Sequence, residues 1–244
     1  MERRKGPMRA RDISAGERKR ILARIEKFGS QAGRNKADIE KLQQHTLAVN
    51  RFVKALAAEL IRKGAVLDYR KLSRAALWHD ALRQRHAAAM DFIARKATPG
   101  TALGSAQRTA QDYIEEAHEG AVRELLKRGS KAERKASHLL SGRKWIRYNK
   151  PEARAHISME QLIIDLGDAA VEGTNFVTIK TRFDSMRPRM TAYSETEKVQ
   201  YERAFNQLKK MVEERIEGPY GVSINSIVEK LQKQKKQGKR GKKP

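Results

Sequence analysis

An adjacent histidine and aspartate, His79-Asp80, close an apolar helical pattern that runs through Ala75-Ala76-Leu77-Trp78. Imidazole and carboxylate are both competent to bind metal or move protons, and a helix that ends on them delivers the pair to the edge of a packed core. Successive helix positions point about 100° apart, so one cation beside the helix end can meet both groups. Two further candidates stand on apolar stripes elsewhere. His45 lies one turn before Val49 on the face that continues through Phe52, Val53, Leu56 and Leu60, a helical recurrence. Such a histidine is either a ligand or a core residue with a hydrogen-bonded ring. Asp168 falls in the helical segment Leu162-Ile163-Ile164-Asp165-Leu166-Gly167-Asp168-Ala169-Ala170-Val171, four residues after Ile164 and three before Val171. A carboxylate on an apolar stripe is costly unless paired or bound to metal, so Asp168 requires a buried partner.

The order His45, His79-Asp80, Asp168 resembles the ligand signature of the HD superfamily of metal-dependent phosphohydrolases. The flanking residues agree. His45-Thr46-Leu47-Ala48-Val49 followed by Leu56-Ala57 resembles the family's first ligand helix, and Leu72-Ser73-Arg74-Ala75-Ala76-Leu77-Trp78-His79-Asp80 its second. Asp168-Ala169-Ala170-Val171 leads into Val177-Thr178-Ile179 and Arg182-Phe183, as in small HD proteins, and the likeness covers roughly residues 42 to 190. The resemblance implies an all-α helical bundle in which His45, His79, Asp80 and Asp168 hold a divalent ion. It also implies hydrolysis of a phosphoester or phosphoanhydride by activated water, with His79 and Asp80 at the reacting centre. Mn, Mg, Fe, Co, Ni and Zn all suit such a donor set, so its identity is not selected by the ligands.

The chain departs from the pattern after Asp80, where Ala81-Leu82-Arg83 replaces the Ile-Gly-Lys of many members. Arg83, Arg85 and His86 place cations beside the expected ion. A bound phosphoryl group needs its other oxygens neutralised, and arginine supplies paired donors; a solvated face is the alternative for the two arginines. His118, in His118-Glu119-Gly120-Ala121, resembles the extra histidine of members with more than one metal. Arg143 stands where the next histidine is expected, and His138 sits inside an apolar run, so one metal is expected rather than two. His118, Arg143 and Lys144 join the candidate phosphate contacts. The basic stretch 141–151 reads as a loop in which Trp145 and Tyr148 either stack bases among cations or, with Trp145 and Ile146, pin the loop to the core; pinning is preferred.

The elements that must position these groups are helical almost throughout. A first amphipathic helix spans 13–29, with Gly29 and Gly33 as breakers. A second runs from near Asp38 to Arg62 and stops at Lys63-Gly64. Asp68 caps the short helix that carries His79-Asp80, and a helix over 106–128 places His118 beside its inward face. Gly173-Thr174-Asn175 turns the chain, after which Phe176-Val177-Thr178-Ile179 either pairs briefly or enters a helix. A long helix over 194–216 is expected to stop at Gly218-Pro219, and an amphipathic stretch from Ile224 to Leu231 precedes the lysine-rich end. Three regions follow: 1–37, a basic segment with one helix; 38–217, an HD-type helical domain; and 218–244, a short helix with a basic disordered tail.

Composition bounds the rest. The 244 residues suffice for a sizeable core, and the lack of cysteine removes disulfides and thiolate metal sites. No apolar run approaches the ~20 residues that span a bilayer, and the basic N-terminus lacks the apolar core of a secretory signal. A cytoplasmic protein without membrane contact is expected. Of the net charge of +24, residues 1–27 and 229–244 supply thirteen, so the body is basic as well. Such a field attracts phosphates. It favours a phosphorylated small-molecule substrate of nucleotide type, and it makes the basic tails candidate contacts for RNA or DNA. The competing reading is an HD scaffold that binds nucleic acid with little or no catalysis. The sequence holds no phosphate-binding glycine loop, serine nucleophile constellation or internal repeat.

Overall fold

The computed structural model describes residues 12–31, 34–79, 131, 144–187 and 195–240. These are mostly helical: α1 (Ala15–Gln31), α2 (Lys36–Arg62), α3 (Tyr69–Trp78), α4 (Lys144–Asn149), α5 (Pro151–Ala155), α6 (Met159–Ala169), α7 (Ile179–Met186), α8 (Glu195–Val212) and α9 (Ile224–Arg240). A short antiparallel hairpin, β1 (Val171–Glu172) and β2 (Asn175–Phe176), interrupts them with Val171 opposite Phe176. Side-chain caps start several helices by taking an amide hydrogen that the helix itself leaves unsatisfied. Asn35 caps α2, Ser158 caps α6 and Thr178 caps α7 in this way. Asp68 caps α3 as expected, accepting from the Lys71 amide at 2.9 Å.

Helix α2 is the axis. Its stripe Val49, Phe52, Val53, Leu56 and Leu60 is wholly buried, and each such side chain contributes roughly 1.5–3 kcal/mol. Against it lie Leu72, Ala75, Ala76 and Leu77 of α3 and Leu162, Ile163 and Leu166 of α6. Ile21 and Ile25 of α1, and Ile227, Val228 and Leu231 of α9, belong to the same core. Among the described residues no helix is long and apolar enough to cross a membrane.

Four local expectations differ from the structure. Gly29 does not break α1; it lies within the helix, buried, where a Cβ would stand 2.7 Å from Ile39 Cγ1 of α2. A glycine inside a helix marks close approach here, not an end. Residues 144–149 are helix α4, not loop, and the aromatic that anchors them is Tyr148, fully buried. The side chains of Trp145 and Ile146 lie outside the described set. Gly218-Pro219 does not stop the long helix, because a π turn over Glu213–Glu217 intervenes and the chain stays helical through Tyr220. In that turn the Gly218 amide reaches back five residues to the Glu213 carbonyl. Widening of the ladder accommodates the proline, which lacks a donor and would crowd an ordinary α turn. The helix ends instead at Gly221, left-handed at φ 59°. Finally, the lysine-rich stretch expected as a disordered tail is helical as far as Arg240.

Asp12, just before α1, ties three helices together. Its carboxylate accepts from the Ile13 amide at 2.8 Å, Ser73 Oγ of α3 at 3.0 Å, Arg18 of α1 at 3.2 Å and Lys54 of α2. Burial alone would raise its pKa, but the Lys54, Ile13 and Ser73 hydrogen bonds outweigh that and hold it below the ordinary value. A carboxyl with a depressed folded pKa stabilises the fold above its unfolded pKa, and that contribution is lost as pH falls through the folded value. Thermal melts of wild type and Asp12→Asn should therefore differ by a constant gap near neutrality, which closes below about pH 4. A gap that persists undiminished to strong acid would remove the carboxylate from this role.

Candidate metal centre

Three side chains distant in sequence converge. His45 comes from the third turn of α2, His79 from the residue after α3 and Asp168 from the last turn of α6. His45 Nε2 lies 3.4 Å from Asp168 Oδ1, and His79 Nε2 lies 3.7 Å from the same oxygen. The imidazole centroids are 5.5 Å apart with the rings tilted at 52°. One potential ligand atom from each residue falls within 4.8 Å of the others.

Backbone carbonyls set the aim of both rings. His45 Nδ1 is 2.9 Å from the Gly173 carbonyl, and His79 Nδ1 is 2.7 Å from the Ala76 carbonyl. A carbonyl only accepts, so Nδ1 carries the hydrogen and donates it. In a neutral ring that leaves the Nε2 lone pair directed at Asp168. This is the outer-shell arrangement that metal-binding histidines need. Local sequence explains each anchor. The Ala76 carbonyl belongs to the last turn of α3, where helix acceptors lack intrahelical partners. Gly173, at φ 58°, opens the two-residue loop between the paired Glu172 and Asn175, and its left-handed backbone suits glycine.

The spacing fits a shared ion. Contacts of 3.4 and 3.7 Å are longer than N–H···O hydrogen bonds. Two donors each about 2.1 Å from one metal, at angles near tetrahedral or trigonal, stand about 3.4–3.7 Å apart. Charge agrees with that fit: His79 and Asp168 both sit at helix C-terminal ends, where the backbone dipole favours a cation. The side chains of His45, His79 and Asp168 are 14%, 6% and 13% exposed, so the cluster is sheltered but reachable.

Of the residues singled out from the sequence, His45, His79 and Asp168 are brought together. Asp80, Arg83, Arg85, His86, His118 and Arg143 lie outside the described residues, as does the segment expected as a helix over 106–128. Lys144 opens α4, and its side chain is likewise outside them.

Two supports of the site were not singled out beforehand. Gly167, beside Asp168, lets α6 approach α2 so closely that a Cβ there would lie 2.5 Å from Val53 Cγ2 and 3.3 Å from Val49 Cγ1. Its signal was legible: a glycine in an apolar helix interior costs about 1 kcal/mol unless packing needs it. Asp165, one turn earlier and buried, accepts from Tyr148 Oη at 2.9 Å and from the Arg147 guanidinium. Burial, then the Asp165 charge, push the Tyr148 phenol well above its usual pKa despite the opposing Arg147, so it stays protonated and donates. A carboxylate inside Ile163-Ile164-Asp165-Leu166 was also visible, but not which group would neutralise it.

Comparison of the chain with protein-family models, with curated proteins and with solved structures yields no match.

Proposed function

We infer that this chain is a divalent-metal-dependent phosphohydrolase of HD type, acting on a nucleotide-like phosphoester or phosphoanhydride. The observation that carries the reading is the convergence of two carbonyl-anchored imidazoles on one Asp168 oxygen, at 3.4 and 3.7 Å. His45, His79 and Asp168 would hold the ion, with Asp80 as the fourth ligand implied by the sequence resemblance. The chemistry that such an ion supplies when bound is Lewis acidity toward a phosphoryl oxygen and activation of water as the nucleophile. The protein's own contribution is to hold both Nε2 atoms and the carboxylate in place before substrate arrives. Its basic body draws an anionic substrate in, and Arg83, Arg85, His86, His118, Arg143 and Lys144 are the candidate contacts for the remaining phosphate oxygens.

Metal analysis and titration of the purified protein, followed by a nucleotide and phosphoester panel, test this. One divalent ion should bind per chain. Loss of an outer-shell group typically costs about 10–100-fold in affinity or activity, so His79→Ala, Asp80→Ala and Asp168→Ala should each lose at least about 100-fold in turnover. Turnover equal to wild type in these variants would end the hydrolase reading.

One feature favours nucleic-acid binding as a second reading. Lys230, Lys233 and Lys236 form an exposed face of α9. Arg62, through its hydrogen bond, and then Lys63 and Lys230 lower the Glu59 carboxyl, which sets the end of α2 and this face side by side. Salt-sensitive retention on RNA or DNA without any turnover would favour that reading.

A further inference from the structure

Helix α9 reaches the β1–β2 hairpin that anchors His45 of the candidate cluster. Lys235 Nζ donates to the Thr174 carbonyl at 2.7 Å, to Thr174 Oγ1 at 3.0 Å and to Asn175 Oδ1 at 2.8 Å. Gln232, one turn earlier on α9, donates to the Phe176 carbonyl at 2.7 Å. Both side chains therefore grip the β1–β2 hairpin, one at its tip and one at its far strand. The residue next to Thr174 is Gly173, whose carbonyl receives the His45 Nδ1 hydrogen at 2.9 Å.

The hairpin has reason to need the grip. Each strand is two residues long, and a short two-stranded hairpin is at best marginally stable alone. Its tip contains a left-handed glycine, the residue with the most backbone freedom to lose. The polar atoms of Thr174 and Asn175 converge on a single ammonium, whose charge strengthens each bond. Lys235 is less exposed than its neighbours Gln234 and Lys236, in keeping with an inward role among outward cations.

We propose that Lys235 is a positioning residue for the metal centre: it fixes the hairpin tip, the tip fixes the Gly173 carbonyl, and that carbonyl fixes the tautomer and aim of His45. The consequence for metal affinity rests on the phosphohydrolase reading of the cluster; the consequence for the ring does not. The C-terminal helix thereby becomes part of the centre, although it lies far along the chain from every ligand.

The test compares full-length Lys235→Met, which keeps the aliphatic stem, with Gln234→Met at an exposed position of the same helix and with Lys235→Arg, which retains a cation. Nitrogen-15 NMR of the imidazoles in metal-free protein reads the His45 tautomer, and titration with Mn2+ and with Zn2+ reads affinity. Gln234→Met should match wild type with His45 wholly Nδ1-protonated. Lys235→Met should show a mixed tautomer, faster exchange of the Nδ1 hydrogen and about 3- to 10-fold weaker binding, a step below the loss from a direct outer-shell partner. Lys235→Arg should recover part of both. An unchanged His45 tautomer in Lys235→Met overturns the proposal, and so does a changed tautomer with unchanged affinity for an ion that wild type binds. If wild type binds neither these ions nor Mg2+, Fe2+, Co2+ or Ni2+, the phosphohydrolase reading fails, and a changed tautomer alone then upholds the positioning role.

Discussion

If His45, His79 and Asp168 hold a divalent ion, as proposed, Gly167→Ala should sharply weaken its binding while replacing none of its ligands. The added methyl would lie 2.5 Å from Val53 Cγ2, an ångström or more inside the carbon–carbon contact distance of roughly 3.5–4.0 Å. Val53 and Val49 are both fully buried, and a β-branched side chain has few alternative rotamers. The backbone of α6 must retreat from α2, and Asp168, the next residue, retreats with it from His45. Overpacking of this kind costs about 1–3 kcal/mol, against about 1 kcal/mol gained from alanine's better helix propensity. The net loss of stability is modest; the loss at the cluster is large. Val53→Ala removes the opposing methyl and should restore metal affinity in the double variant. Coupling measured by a double-mutant cycle should exceed about 0.5 kcal/mol. Additive effects, or a Gly167→Ala protein that binds metal like wild type, would separate this crossing from the site.

The second large effect is on folding. Asp165→Ala should lower the unfolding free energy by about 3–5 kcal/mol, the usual result of stranding one member of a buried ion pair. Against a total stability of about 5–15 kcal/mol, much of the protein would unfold in mild urea. The side chains of Asp165 and Arg147 are 5% and 12% exposed, and without Asp165 the Tyr148 hydroxyl loses its 2.9 Å acceptor. Asp168→Ala, three residues on, should cost far less stability without metal. It should instead eliminate the gain in stability that a divalent ion held at the proposed site would confer by binding the folded state. Urea titrations of both variants with and without Mn2+ distinguish a structural carboxylate from a ligand. The reverse ranking would exchange the two assignments.

The two carboxylates illustrate how far linear reasoning reaches. Both stand among apolar residues of one helical segment, and burial of each was readable as a need for a partner. Spacing along the helix could not say that Asp165 would meet a guanidinium and a phenol while Asp168 met two imidazoles. The expectation of a loop over 141–151 obscured the first answer, since Arg147 and Tyr148 become partners only when α4 forms against α8 and presents both side chains to Asp165. Likewise Gly218-Pro219 is a sound stop signal for an α turn, but the π turn before it relieves the clash that the rule assumes.

Periodicity and end signals lay in the chain itself: the stripe of α2 with His45 one turn ahead of Val49, the Asp68 cap of α3, the turn at Gly173. These are short-range properties, decided by steric repeat and by the hydrogen-bonding needs of helix ends. Convergence was decided elsewhere. His45 and His79 meet Asp168 because α3 and α6 pack against α2 and against each other, and Gly167 sets how near α6 comes to α2. Which carbonyl each imidazole would find, and that a lysine 190 residues after His45 would brace one of them, depends on packing across the whole core. Side chains far apart along a polymer acquire a common centre only through the joint burial of many apolar surfaces, and no local pattern encodes that sum.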